Sequence, residues 1–456
     1  MDLDNMKTET WLMLDSCFLP EGMSAENADL LGFQLNECLL TSTAEPALNM
    51  PNANVRSGIL IWKCTIRAAA VLGGAVNMLA TKVGGSLNFG GSKLYNYSGP
   101  GIGGDNMRVS GSLFLRRGLE VHGGGALGAV RLNRARIDNA VDFSGARLCN
   151  ETGPAISADS MVADTLQIRN GFTAESTRAS ATIRLPNVKV ATAEISKAVV
   201  KNGAGPAIMA DGMVVGGDLL LGRGLEATGS GITQTLSLDG ASIGGLLLFE
   251  PSQVTNLSAP DRRVSINGLT YPRVPFGIDL KEMISLLRHG VGDYASQPYQ
   301  QLAAAHRAAG HESEARAILR AQRRHQIDSH ALTGRSARLW ARTTGLLLGY
   351  GYQPWRTLVG LLAVAIIAIC LCLTSPALVH TKNSPSPGTP CRTGERIGVA
   401  IDLSVPLIKT NARIQCDIAG TAAGDRLAVT GWLLQALAWG FATLFVAGFT
   451  GAVRKS

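Results

Sequence analysis

The sequence is poor in aromatic and charged side chains. Aromatic residues make up 5% of its 456 positions and charged residues 17%, whereas 53 positions are glycine. So few large side chains argue against ordinary packed helices, and so little charge argues against a disordered chain. The length also exceeds what one hydrophobic core usually serves. These properties favour a thin, repetitive array.

Motifs for phosphate, metal or nucleotide chemistry are missing. The chain contains no GxxxxGK[ST], no HExxH and no paired CxxC. Gly123, Gly125 and Gly128 form a GxGxxG, but a dinucleotide site needs a helix directly afterwards, and AVRLNRARI continues a strand-like pattern. We therefore expect these glycines at turns of a repeat, no cofactor, no metal and no catalytic residues.

The N-terminal segment lacks the uninterrupted apolar run of a secretory signal and carries Asp2 and Asp4. We therefore expect the first half of the chain to lie in the cytoplasm, where cysteines stay reduced. Four cysteines fall in this half: Cys17, Cys38, Cys64 and Cys149.

An internal repeat organises this half. A β-branched residue, two or three small residues and an apolar-x-apolar triplet recur about every 24 to 28 residues, close to the length of one solenoid coil. The copies are VRSGILI, VGGSLNF, VSGSLFL, IDNAVDF, VGGDLLL and IGGLLLF, with degenerate versions ADTLQI and VATAEI.

Two further features fit a solenoid. Gly-Pro recurs in alternate coils at positions 99–100, 153–154 and 205–206, each time shortly after an asparagine. Apolar positions step by about five, which fits neither a flat strand nor a helix. We predict a mainly β fold: a β-solenoid of about eight coils over residues 31–272, with glycine at its corners and residues 1–30 as an N-terminal cap. The segment near Tyr271 and the following helix should close its other end.

A basic helical neck is predicted for residues 273–345. Within it, YQQLAAAHRAAGHESEARAILRAQRRHQ resembles a single tetratricopeptide-type hairpin. One copy is not an array, so we favour packing on the solenoid end or on a second subunit over a peptide-binding groove. His306 and His311 lie five residues apart, off one helical face, which argues against a metal site with Glu312 and Glu314.

The neck carries the basic excess of the chain. Aromatic residues flank an apolar run beside it, which favours contact with anionic inner-leaflet lipid over nucleic acid. The predicted lipid-facing cluster consists of Arg316, Arg320, Arg323, Arg324, Arg335, Arg338, Arg342 and Arg356.

A membrane domain is predicted for residues 346–456. Residues 357–379 and 427–453 are long and apolar enough to be two spans, joined by an external loop over residues 380–426. We therefore expect a multi-pass protein of the cell membrane with both termini in the cytoplasm. Cys391 and Cys416 would face an oxidising compartment, where a disulfide can form between them.

The loop also raises the question of a pore. The segment IGVAIDLSVPLI, residues 397–408, is apolar enough to lie on or dip into the membrane. No TVGYG-type filter and no ring-forming acidic motif accompanies it. Gln435 in the second span fits a hydrogen bond between helices better than a pathway.

The chain resembles actinobacterial membrane proteins that combine a Gly-rich solenoid, a helical neck and two spans. The resemblance rests on YQQLAAAHRAAGHESEARAILRAQRR, LLLGYGYQPWRTLVGL and the terminal GFTGAVRKS, and it covers nearly the whole chain. Proteins that look like this are mostly uncharacterised bacterial proteins, and some carry a membrane-associated oxidoreductase label.

Three functions follow as expectations. The leading one is a non-enzymatic scaffold that presents a cytoplasmic solenoid and either self-associates or recruits a protein partner. The second is a channel or transport-like protein with the solenoid as a cytoplasmic sensor. The third is an oxidoreductase, which rests on the resemblance alone and would require a copurified cofactor.

Overall fold

The structure, a computed structural model, describes residues 1–329, 355–381, 388–405 and 408–449. The chain divides into two compact units, Met1–Leu319 and Arg320–Ser456. The first unit is a β-solenoid that ends in helices. The described residues of the second form helices and one short pair of strands.

The solenoid is parallel and has three faces, here named A, B and C. Faces A and C each stack ten strands, so nine turns of the chain separate the first strand from the last. Face B stacks sixteen, because most coils give it two short strands. The predicted β-solenoid followed by helices is therefore confirmed, with nine turns where about eight were expected.

Face A contains Met23–Ser24, Leu48–Asn49, Val76–Asn77, Ile102–Gly103, Val130–Arg131, Ile156–Ser157, Ile183–Arg184, Ile208–Met209, Leu236–Ser237 and Val264–Ser265. Face C contains Phe18–Leu19, Leu39–Thr41, Thr65–Arg67, Lys93–Asn96, Glu120–Gly123, Arg147–Asn150, Phe172–Ser176, Ala198–Asn202, Glu226–Gly229 and Val254–Asn256.

Face B contains Trp11–Asp15, Asp29–Leu30, Gly32–Asn36, Asn54–Val55, Ile59–Trp62, Lys82–Val83, Leu87–Asn88, Arg108–Val109, Leu113–Phe114, Arg136–Asp142, Val162–Ile168, Lys189–Ser196, Val214–Val215, Leu219–Gly222, Ser242–Ile243 and Leu247–Phe249. The first strands of faces B and C, Trp11–Asp15 and Phe18–Leu19, are named β1 and β2.

From the second coil onwards, the coils bury the same positions. Val55, Val83 and Val109 pair in register and form one buried column of face B. The next inward position carries Leu87 in register with Leu113, also buried. Burying one such aliphatic side chain stabilises the fold by about 1.5–3 kcal/mol, so the core is a set of aliphatic columns along the axis.

Residues 1–30 are part of the solenoid and not a separate cap. β1 pairs in parallel with Gly32–Asn36, and β2 pairs with Leu39–Thr41. Asp2 and Lys7 form further parallel bridges to the second coil. The predicted boundary at residue 31 was wrong because this first coil carries no copy of the repeat signature.

The double glycines of the repeat mark a close approach between coils. A Cβ on Gly244 would lie 2.1 Å from the carbonyl oxygen of Gly216, so no side chain fits there. The copies that contain no glycine, beginning at Ile137, Ala163 and Val190, instead run as single strands of seven or eight residues. In these three coils face B is therefore built from one continuous strand per coil.

The Gly-Pro pairs mark a turn that a buried asparagine closes. The Asn150 side-chain amide donates to the Pro154 carbonyl at 2.8 Å and to the Gly125 carbonyl of the preceding coil at 3.2 Å. Asn96 and Asn202 bind Pro100 and Pro206 in the same way. Small residues stack between the asparagines at Gly123, Ser176 and Gly229.

Glycine was expected at the corners of the coils, but at one corner most coils have another residue. At this corner, residues of successive coils have φ near +57°, in the left-handed region, and together they form a column along the solenoid. Glycine fills it only in the last three coils, at Gly212, Gly240 and Gly268. Elsewhere it is built from Asn5, Asn27, Asn52, Ala80, Asn106, Arg134, Ser160 and Asn187. Asparagine tolerates this conformation better than most residues, which explains its frequency.

Helices α1 (Leu280–His289) and α2 (Gln297–Ala308) cover the last coil. The Gly290 carbonyl accepts hydrogen bonds from the backbone N–H groups of Arg263 and Val264 at 2.8 and 2.9 Å. The Gln297 side chain binds the backbone of Gly268 and Leu269. Gln301 donates to the Tyr271 carbonyl at 2.7 Å. The predicted closure near Tyr271 is confirmed.

The other α-helices among the described residues are α3 (Glu312–Asp328), α4 (Trp355–Thr374), α5 (Thr393–Ser404) and α6 (Ala422–Phe449). Helices α4 and α6 are long and apolar enough to cross a membrane. The first ends before Pro376, short of the predicted residue 379, and the second begins five residues before the predicted 427. Residues 330–354, with the predicted boundary at 345–346, lie outside the described residues.

Candidate functional site

The first coil exposes strand edges and apolar side chains together. β1 and β2 each pair on one side only, with the second coil. Met13 and Phe18, which project from these strands, are each 62% exposed. Three more large apolar side chains of this coil are exposed: Met1, Met6 and Trp11. This surface, residues 1–19, is named the open end.

The open end also leaves the hydrophobic core partly uncovered. Leu12 and Leu14 of β1 alternate with outward residues and are only half-buried. The inward residues below them in the second coil, Phe33 and Leu35, are 0% exposed. The first coil therefore buries its inward side chains from one direction only.

Three of the four carboxylates of the first coil bind groups of the second and third coils. Asp4 accepts hydrogen bonds from the Ser24 hydroxyl at 2.6 Å and the Glu26 N–H at 2.7 Å. Asp15 accepts from the Asn36 amide at 2.6 Å. Glu9 pairs with the Arg56 guanidinium at 3.0 Å. These acids therefore tie the open end to the coils beneath it.

A polar cleft of about 550 Å³ runs along face A. An ion pair between Arg131 and Asp105 lies at its centre, and Asp105 also accepts from the Asn133 N–H at 3.1 Å. Asp211 and Asp239 repeat this bonding in later coils, where each accepts from a serine hydroxyl and a backbone N–H of the next coil. The acids of this face hold coils together, which is a structural task.

The glycines of the formal GxGxxG lie at a coil corner, as the sequence predicted. Gly123 ends a strand of face C, Gly125 and Gly128 have positive φ, and the next element is the strand Val130–Arg131. No helix N-terminus is present to receive a pyrophosphate at these residues.

Two cysteines of the solenoid, Cys64 and Cys149, keep their thiols protonated. Burial raises the pKa of Cys64 to about 12, and burial with the nearby Glu175 raises the pKa of Cys149. A raised pKa leaves almost no thiolate at neutral pH, so these two cysteines are poor nucleophiles. Cys17 and Cys38 are likewise unpaired by disulfides.

The two neck histidines are closer than helical spacing suggested. α2 ends before His311 and α3 begins after it. The ring centroids of His306 and His311 therefore lie 5.7 Å apart. Burial and the neighbouring His311 lower the pKa of His306, and a neutral ring results. Among the described residues no group of three metal-ligating side chains forms.

Part of the basic cluster is visible. Arg316, Arg320, Arg323 and Arg324 lie on α3, and Arg356 lies in the first turn of α4. Burial lowers the pKa of Arg320, and repulsion from Arg324 and Arg356 lowers it further, which places these three cations close together. Arg316 pairs with Glu312 at 3.3 Å, so it is partly neutralised. Arg335, Arg338 and Arg342 lie outside the described residues.

A disulfide cross-links the segment between α4 and α6. The structure pairs Cys391 with Cys416 in a disulfide, with Cα atoms 6.0 Å apart. It joins the antiparallel strands Leu378–His380 and Cys416–Ile418 to the start of α5. Val399, Ala400 and Leu403 of α5 pack in one core with residues of α4 and α6. Within the described part of residues 397–408, the segment is therefore helical and packed on both long helices.

Sequence reasoning missed the open end, although one signal was present. WLMLD is a short apolar run that ends in an acid and has neither proline nor lysine, which is compatible with a strand. Comparison of the chain with protein-family models, curated proteins and solved structures gave no match. The functional argument therefore rests on the geometry alone.

Proposed function

We propose that the protein is a membrane-anchored scaffold that presents its β-solenoid in the cytoplasm. The observation that carries the proposal is that the two ends of the solenoid differ. Helices cover its last coil, while the first coil offers open strand edges and exposed Met13 and Phe18. A long, regular solenoid with one end open to strand pairing suits assembly with other proteins better than turnover of a small molecule.

The proposal places α4 and α6 across the cell membrane, with both chain termini in the cytoplasm. Two observations support this orientation. The cations Arg320, Arg324 and Arg356 cluster at the start of α4, where anionic inner-leaflet lipid would contribute about 1 kcal/mol for each cation. The Cys391–Cys416 disulfide lies between α4 and α6, and disulfides persist in oxidising compartments.

The test uses full-length protein purified in detergent and then reconstituted in liposomes. Three readouts separate the functional classes: molar mass by light scattering, absorbance from about 260 to 500 nm, and ion flux across the vesicle membrane. The scaffold proposal expects a discrete oligomer, a spectrum free of flavin or nicotinamide bands, and no flux. A cofactor band would favour the oxidoreductase, and flux would favour the channel; either result would overturn the scaffold proposal.

A further inference from the structure

We propose that two copies of this chain join through their open ends, first coil against first coil, about a two-fold axis through β1. The proposal deepens the scaffold function, on which it rests, by naming the partner as a second copy. In this arrangement β1 pairs antiparallel with the same strand of the other copy. Met13 then faces its own counterpart, and Leu12 faces the counterpart of Leu14.

The edge of β1 is competent for pairing. Exposed edge strands are usually blunted by lysine, proline or a bulge, or they are very short. β1 has five residues, WLMLD, without lysine or proline, and its pairing with Gly32–Asn36 runs without a register shift. Its remaining backbone groups are thus arranged as a template for one more strand.

Three of the four acidic residues of the open end are bonded to the coils beneath, and the fourth, Asp2, lies outside β1 and accepts from the Asp4 N–H. Asp4, Glu9 and Asp15 are each engaged by groups of the coils beneath, at 2.6 to 3.0 Å. In the antiparallel register Asp15 would face Trp11 of the other copy, so no pair of like charges is created along β1. Charge therefore does not oppose the contact there.

A second first coil is the occupant that fits all edges at once. A single peptide strand could extend only one face, whereas another coil of equal cross-section continues the same coil-on-coil contact that runs through the whole solenoid. A coil of about 25 residues at about 3.3 Å per residue has an end face of roughly 600–700 Å² with its side chains. Two such faces reach roughly the area of specific protein interfaces.

The helices that cover the last coil determine which ends of two copies can meet. The backbone N–H groups of Arg263 and Val264 are already bonded to Gly290, and Gln297 occupies the edge at Gly268 and Leu269. Head-to-tail stacking is therefore blocked, and only the isologous contact between open ends remains. Such a contact closes at two copies and does not propagate into a filament.

The contact would also complete the core. Leu12 and Leu14, half-buried in one copy, would be covered by the same residues of the other. Apolar burial of this kind, together with strand pairing, is what holds neighbouring coils together inside each chain. The open end thus gains from a second copy what α1 and α2 provide at the other end.

The test places a charge on the two-fold axis. Full-length Met13→Lys would set two lysines opposite each other, and we expect dimer dissociation at concentrations at least about tenfold higher than for the unchanged chain. Gln34→Lys is the matched control, because Gln34 pairs with Met13 one coil further in and projects from the same face. The readout is molar mass by light scattering over a concentration series in detergent.

A second arm keeps the test independent of folding. Met13→Glu alone should also weaken the dimer, whereas an equal mixture of Met13→Glu and Met13→Lys should restore it. A monomeric unchanged chain, polymers that grow with concentration, or a dimer insensitive to Met13→Lys would each overturn the inference. A discrete oligomer that is insensitive to Met13→Lys would overturn only this contact, whereas a cofactor band or ion flux would overturn only the scaffold proposal, so the two ideas can fail separately.

Discussion

The first and last coils of the solenoid bury their inward side chains to different extents. In the last coil Val264, Ile266 and Leu269 are all buried, because α1 and α2 lie over them. In the first coil Leu12 and Leu14 remain half-buried, and the edges of β1 and β2 are open. Stacked coils satisfy one another's backbone groups, so each end of a stack must be finished separately.

The contrast extends along face C. The asparagine ladder, at Asn96, Asn150, Asn202 and Asn256, begins only in the fourth coil. The corresponding positions nearer the open end are Ser42 and Ala68, whose shorter side chains form no such clamp. At this corner of face C, an asparagine clamp is therefore present from the fourth coil onwards and absent from the second and third coils.

The largest expected effect comes from truncating one leucine at each end. Leu269→Ala should lower the free energy of unfolding by about 2–4 kcal/mol, because it leaves a cavity under the cap. Leu14→Ala should cost only about 1 kcal/mol, because that side chain is half-exposed. Denaturant unfolding in the monomeric Met13→Lys background measures both. Equal losses would remove the distinction between the ends.

A smaller effect is expected at the asparagine ladder. Asn256 donates to the Thr233 carbonyl at 2.7 Å and accepts from the N–H groups of Ser258 and Ala259. Asn256→Ala leaves buried groups unpaired and should cost about 2 kcal/mol. Ser42→Ala, at the same corner near the open end, should be within about 0.5 kcal/mol of the unchanged chain. Thermal unfolding of both variants gives the comparison, and a costly Ser42→Ala would contradict it.

The smallest effect is a pH dependence confined to the capped side. The pKa of His306 is lowered by burial and by His311, so the folded state binds its proton less readily than the unfolded state does. The stabilising effect is complete above the ordinary histidine pKa of about 6.5 and is lost as the pH falls below it.

Hydrogen exchange of α2 measures this local stability. Exchange should accelerate as the pH is lowered from about 7 to 5.5, after correction for the intrinsic rate, and His306→Gln should flatten that dependence. The strands β1 and β2, which carry no histidine, serve as the internal control. A dependence that persists in His306→Gln would assign it to another group.

Much of the fold was predictable because the solenoid repeats its chemistry in every coil. Inward aliphatic positions recur with the coil, so the signatures at Val55, Val83 and Val109 predicted the register that the structure shows. The Gly-Pro pairs were found as markers, although their partner, the buried asparagine amide, needed the stacked coils to be seen. The recurring asparagine marked the position, but the carbonyls that it binds are brought to it only by the turn and by coil stacking.

The candidate site was less predictable, since an end is defined by what does not repeat. Residues 1–30 carry no repeat signature, and a cap was the natural expectation, yet β1 follows the coil register. The two neck histidines were judged by helical spacing, but the chain turns between them and brings their rings together. In both places tertiary contacts override a local pattern.

Site-specific cross-linking tests the contrast between the ends most directly. Met13→Cys, in a Cys17→Ser background and in membranes, places thiols on the proposed two-fold axis, where opposed Cβ atoms lie about 5 Å apart. Asn267→Cys places an exposed thiol on the last coil as its counterpart. The account predicts a covalent dimer for Met13→Cys and little for Asn267→Cys under mild oxidation. Equal cross-linking at both positions, or none at Met13→Cys, would contradict it.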